Sequence, residues 1–131
     1  MSETKSGAGR PVLAVVLSGV CLSRCRFLKG GSLVWSIIGK RDFEAAKGKD
    51  ADVDPVPDDM RAIDSVRIAV LFREKDDETL RVSLRSKGRI NVAEVAEHYN
   101  GGGHFDVAGC TIKNDPKEIS GFLKRAGRLL D

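Results

Sequence analysis

Residues 100–109, NGGGHFDVAG, set three glycines directly before His104, one of only two histidines among 131 residues. Glycine adopts positive φ and lets a ligand approach the main chain without meeting a Cβ. Successive N–H groups in such a bend converge into an anion-binding concavity, and an imidazole beside it can donate a hydrogen bond to a phosphate oxygen. A helical turn starting near His104 would add its dipole. Ending a helix needs one glycine, whereas three in a row cost about 0.5–1 kcal/mol each relative to alanine. Gly101, Gly102, Gly103 and His104 are therefore candidate phosphate ligands, with a plain helix-ending turn as the alternative.

A second chemistry-bearing group lies one helix upstream. In LRVSLRS, residues 80–86, Leu80, Val82 and Leu84 alternate with Arg81, Ser83 and Arg85, the pattern of a half-buried strand. Arg85 closes the polar face, and its guanidinium can hold a phosphate bidentately. Ser86, Lys87 and Arg89 extend the polar cluster, and Gly88 permits a turn. A strand followed by one helix and a return bend can bring Arg85 and the glycines to one cleft. A solvent-facing strand arginine is the alternative.

The elements that would position these groups follow from periodicity and caps. Pro11 opens an apolar helix over 11–28 that needs cover on most of its surface. SLVWSII, 32–38, reads as a strand, and RDFEAAKG, 41–48, as a short helix capped by Asp42 and stopped by Gly48. KDADVDPVPDD is an acidic loop before a helix near 57–63. It fails as a calcium loop beginning at Asp50, which would need glycine at Pro55 and glutamate at Arg61. VRIAVLFR, 66–73, is apolar on both faces, as in a central strand, and forms an antiparallel hairpin with 80–86. Asn91 and Glu94 form a capping-box pattern for an amphipathic helix carrying Val92, Val95, Ala96 and Tyr99 and ending at the glycines. CTIK, 110–113, is a short strand. Asp115 and Pro116 open a last helix that buries Ile119, Phe122, Leu123, Ala126 and Leu130. The sum is an α+β fold: one small domain at 11–131, with about four strands in a mixed sheet and helices packed against it, behind a disordered tail at 1–10.

The bulk properties agree with a globular domain: 41% hydrophobic, 31% charged, net charge +3. The slight basic excess suits anionic ligands. Three cysteines, an odd number, argue against a disulfide framework and for a reducing cytoplasm. Cys21, Cys25 and Cys110 lack the paired spacing of a zinc site. The apolar run at 11–22 is shorter than the roughly 20 residues a bilayer takes. It also lacks a signal-peptide cleavage pattern. No membrane partner is expected.

The segment VSLRSKGRINVAEVAEHYNGGGHFDVAG resembles the signature of the DHH-associated domain. That domain is the C-terminal lobe of DHH-family phosphoesterases, such as bacterial oligoribonucleases that also dephosphorylate 3′-phosphoadenosine 5′-phosphate (pAp). WSII, PDDMRAIDSVRIAVLFRE and the final helix extend the likeness to roughly residues 11–130. The resemblance implies that Gly101, Gly102, Gly103 and His104 contact substrate phosphate or a terminal nucleotide, and that Arg85 and Ser86 face the same cleft. Two positions depart from the pattern. Asn100 stands where a fourth glycine is common, and asparagine tolerates positive φ. Val107 stands where alanine is usual, which alters packing behind the loop.

In the full-length enzymes, aspartates and histidines of an N-terminal lobe, the DHH triplet among them, hold two divalent metals for phosphoester hydrolysis. No DHH triplet occurs in these 131 residues, and His98 lies between Glu97 and Tyr99 on the predicted helix. The resemblance thus implies a phosphate-binding module for a short oligonucleotide or nucleotide, with no cofactor of its own. Its partner would be a manganese- or magnesium-bearing DHH lobe. The alternatives are a phosphoesterase active only with such a lobe, and a protein-interaction domain whose glycine loop is vestigial.

Overall fold

A computed structural model describes residues 9–131 of the chain. Its elements are α1 (Val12–Ser23), β1 (Arg26–Leu28), β2 (Leu33–Ile38), α2 (Lys40–Ala46), α3 (Val56–Arg61), β3 (Ile68–Glu74), β4 (Thr79–Ser86), α4 (Ala93–His98), β5 (Gly102–His104), β6 (Val107–Lys113) and α5 (Pro116–Arg128). The strands form one sheet in the order β1-β2-β3-β4-β6-β5. β2 and β3 are parallel and every other pair is antiparallel.

The expected α+β class holds, with six strands where about four were expected. The two additional strands, β1 and β5, are the sheet's edges and are three residues long. Such lengths carry no readable alternation. The predicted helix over 11–28 consequently ends early: the chain turns at Arg24 and runs into β1. α1 also lacks the expected all-round cover. Ala14, Leu17, Ser18 and Cys21 are buried, whereas Val12, Val15 and Val16 are exposed. Of the tail expected at 1–10, residues 1–8 lie outside the described residues. Arg10 folds back, donating to Ala14 O and Ser18 Oγ.

Each face of the sheet carries its own core. On one face Leu33, Val70, Phe72, Val82, Leu84 and Ala108 pack with residues of α4 and α5, among them Val95, Ala96 and Phe122. Phe72 and Phe122 meet edge-on at 5.6 Å. On the other face Val34, Ile38, Ala69 and Leu71 pack under α1 and α3 through Leu17, Cys21, Val56 and Met60. β3 is buried on both faces, as its sequence predicts. α5 starts at Pro116, with Asp115 accepting from the Lys117 N–H at 2.9 Å, the predicted cap.

Two caps differ from expectation. α2 begins one residue before its predicted span, with Gly39 as its cap, and Asp42 reaches back to the Gly39 N–H at 2.8 Å. Asn91 accepts from Ala93 N rather than forming the full box. The acidic loop is also tied to the sheet. Asp50 and Asp54 reach Arg73 of β3 at 3.1 and 3.2 Å.

Candidate functional site

On the second face the helices cover β2 and β3 and reach the end of β4 through α3; β6 and β5 contribute nothing to its core. Register then dictates what stands on the open part. Residues paired across antiparallel strands point to the same face, so three rows stand here, two crossing β4, β6 and β5 and one crossing β4 and β6 alone. Arg85, Val107 and His104 form one row, and Ser83, Gly109 and Gly102 the next. Arg81 and Thr111 form the third. The middle row bears nothing larger than a hydroxymethyl group. The result is a trough floored by two glycines and walled by arginines and a histidine. Its outer rows lie four residues apart along β4, about 13 Å at the usual strand rise.

The three glycines have different reasons to be glycine. A Cβ on Gly101 would fall 2.2 Å from Gly109 O and 2.6 Å from Cys110 Cβ. A Cβ on Gly103, where φ is +141°, would fall 2.5 Å from Val107 O. Both are fixed by the close approach of β5 to β6. A Cβ on Gly102 would meet nothing within 4 Å, so the fold does not require a glycine there. The segment is therefore a strand edge rather than the expected bend, and no helical turn begins at His104. Asn100 takes the positive φ, 66°, immediately after α4.

Among the predicted ligands, Arg85 and His104 share a row and a face, two strand spacings or about 10 Å apart. His104 is exposed. Arg85 is not free: its Nε donates to Asp58 Oδ1 at 3.0 Å and its Nη1 to Leu84 O at 3.1 Å. Ser86 is turned away from the trough. It is buried, and its hydroxyl donates to Ile90 O at 2.6 Å. Its N–H donates to Asp106 O, which ties the end of β4 to the β5–β6 turn.

Arg81 was not singled out by sequence reasoning. It is exposed and lines a cleft of about 490 Å³ with Asn100, Gly101, Gly102, Gly109 and Thr111. Among the described residues it has no ion-pair partner within 4 Å. Its alternation with Arg85 was visible in the sequence. Its place beside Gly102 depends on the β4–β6 register, which the sequence does not display.

Cys110 also borders this cleft, and burial pushes its thiol up to about 11. The same effect takes Cys21 to about 12. Neither thiol is poised as a nucleophile at neutral pH. Among the described residues no three His, Cys, Asp or Glu side chains cluster in a manner that would hold a metal ion. The donor set of a two-metal centre is not found on them, and no step through a metal is assigned to this chain. No helix among the described residues is long and apolar enough to cross a membrane.

With the glycine edge, the Arg85 row and the α+β sheet in place, residues 33–131 match the DHHA1 domain, and the chain belongs to that family. Over 104 residues it is 31% identical to the bifunctional oligoribonuclease and PAP phosphatase NrnA of Thermus thermophilus, covering 79% of this chain and 30% of that protein. Over 54 residues it is 43% identical to the Mycoplasma genitalium protein of the same name, covering 41% of this chain and 16% of the relative. The chain thus spans less than a third of the length of either relative. An exopolyphosphatase-related protein from Bacteroides fragilis shares the fold, with a TM-score of 0.83 and 21% identity over 95% of this chain and 38% of its own.

Proposed function

We propose that this domain is a nucleotide-binding module that holds the phosphate of a short oligonucleotide or a pAp-like nucleotide for a metal-bearing DHH lobe outside these 131 residues. The observation that carries the reading is Gly102. It is a glycine with open space around it, flanked by Arg81 and by the Arg85–His104 row. Packing gives no reason for its missing side chain; the close approach of a ligand does. Arg81, Arg85 and His104 would surround the phosphate with donors, and the glycine floor would admit a sugar or base against the main chain.

In this reading the chain's residues bind and orient. When bound in the partner lobe, manganese or magnesium would supply the Lewis acid and activated water of phosphoester hydrolysis. Three unpaired cysteines fit the cytoplasm as the compartment, where such nucleotides occur.

Calorimetric titration with the 5′-phosphorylated dinucleotide pApA tests the proposal. Weak binding that declines on His104→Ala and Arg85→Ala, and with added salt, supports it. Binding indifferent to both substitutions and to salt contradicts it.

A further inference from the structure

One carboxylate already sits where an anion would. Asp58 Oδ1 accepts from Arg85 Nε and from Arg61 Nη2, each at 3.0 Å, so a single oxygen is shared by two guanidiniums. Arg61 ends α3, and its Nη1 donates to the carbonyls of Ser86 and Asp106, both at 3.3 Å. Those carbonyls belong to the end of β4 and the β5–β6 turn. Arg61 is thereby pinned beside the row of Arg85, Val107 and His104. The side chains of Arg61 and Arg85 are 26% and 16% exposed, against 57% for Asp58. The two cations are held in place, and the anion between them is the component free to leave.

We propose that Arg61 is a second guanidinium of the phosphate site and that Asp58 is its built-in competitor, displaced when a nucleotide phosphate binds. This inference rests on the phosphate-binding function proposed above. A carboxylate and a phosphate present similar pairs of acceptor oxygens to a guanidinium. A terminal phosphomonoester carries about −1.5 to −2 charges near neutral pH, so it outbids a single carboxylate for two arginines. A ligand with one charge gains less from the exchange. Asp58 therefore keeps the arginine pair partly neutralised until a terminal phosphate arrives, and it biases the site toward ligands that carry one.

The test is pApA titration of the wild-type chain, Asp58→Asn, Asp59→Asn and Arg61→Gln, with urea unfolding of each as a check on folding. Asp59 neighbours Asp58 on α3 and is exposed, so its substitution changes net charge equally without touching the arginines. Asp58→Asn is expected to tighten binding about two- to fivefold, the equivalent of an exposed ion pair. Asp59→Asn should leave affinity unchanged and Arg61→Gln should weaken it. Equal affinities for Asp58→Asn and the wild type, or equal gains from Asp58→Asn and Asp59→Asn, would overturn the exchange. If His104→Ala and Arg85→Ala still weaken binding in that case, the phosphate site stands without the competitor. If they too have no effect, the phosphate reading itself fails.

Discussion

Alanine at each of the three consecutive glycines separates what the fold needs from what a ligand needs. At Gly101 the new Cβ would sit 2.2 Å from Gly109 O and 2.6 Å from Cys110 Cβ, roughly 1 Å or more inside contact distance. The obstructing atoms are in β6, which pairs with both β4 and β5, so the strain cannot relax through a flexible side chain. Overpacking of this kind costs about 1–3 kcal/mol, or β5 detaches from β6. Gly103→Ala meets Val107 O at 2.5 Å and keeps a φ of +141°, and it should cost at least as much. Gly102→Ala meets nothing within 4 Å and removes backbone freedom from the unfolded chain, so it should be neutral or stabilise by up to about 1 kcal/mol. Urea unfolding of the three variants reads these differences. The same Gly102→Ala chain, fully folded, should bind pApA about tenfold more weakly, because a methyl group then occupies the floor of the trough (tenfold being about 1.4 kcal/mol). Wild-type affinity in Gly102→Ala would refute close approach of the ligand there. Wild-type stability in Gly101→Ala would refute the packing of β5 on β6.

Other substitutions probe the walls and supports. Arg81→Ala should weaken pApA binding about fivefold with no loss of stability, since its charge faces solvent and the cleft; calorimetry and urea unfolding check the two halves. Ser86→Ala should behave oppositely, destabilising by about 1–3 kcal/mol through the lost bond to the buried Ile90 carbonyl, with affinity per folded molecule unchanged. The Arg24–Asp42 pair gives a pH signature. Arg24 donates to both carboxylate oxygens at 2.7 Å, and with the Gly39 N–H it holds the Asp42 carboxyl below its ordinary value. A folded-state pKa lower than the unfolded one stabilises fully above the unfolded value near pH 4 and is lost as pH falls through the folded value. The stability gap between wild type and Asp42→Asn should be constant from about pH 5 upward and close in acid; a gap that persists in acid would contradict this.

The sequence was readable where side chains keep a period. Leu80, Val82 and Leu84 alternating with Arg81, Ser83 and Arg85 announced β4 and its faces, and unbroken apolar character announced the doubly buried β3. Asp115 with Pro116 marked the start of α5. β5 was invisible because glycines have no side-chain pattern to alternate, and its three residues are a strand only by pairing with β6. β1 was absorbed into the preceding helix because its three residues follow an apolar run without a glycine or proline between them. The GGGH motif drew attention to the sheet edge that carries the candidate site, but the reading of it as a bend missed that two glycines are fixed by packing. Ser86 resembled a ligand by adjacency to Arg85, yet neighbours along a strand face opposite ways, and its hydroxyl serves the β4–α4 connection. Arg81, Arg61 and Asp58 come near the proposed site only through strand register and the placement of α3, which depend on contacts distant in sequence.

The central claim is that a nucleotide phosphate lies on the open face of β4, β6 and β5. Titrating isotope-labelled protein with pApA while following amide and arginine Nε resonances tests it most directly. Shifts concentrated at residues 101–104, Ser83, Gly109 and the side chains of Arg81 and Arg85 are the predicted result. Silence at those positions, or shifts gathered instead on the opposite face around the groove of about 680 Å³ lined by Trp35, Ile119 and Leu123, would contradict it.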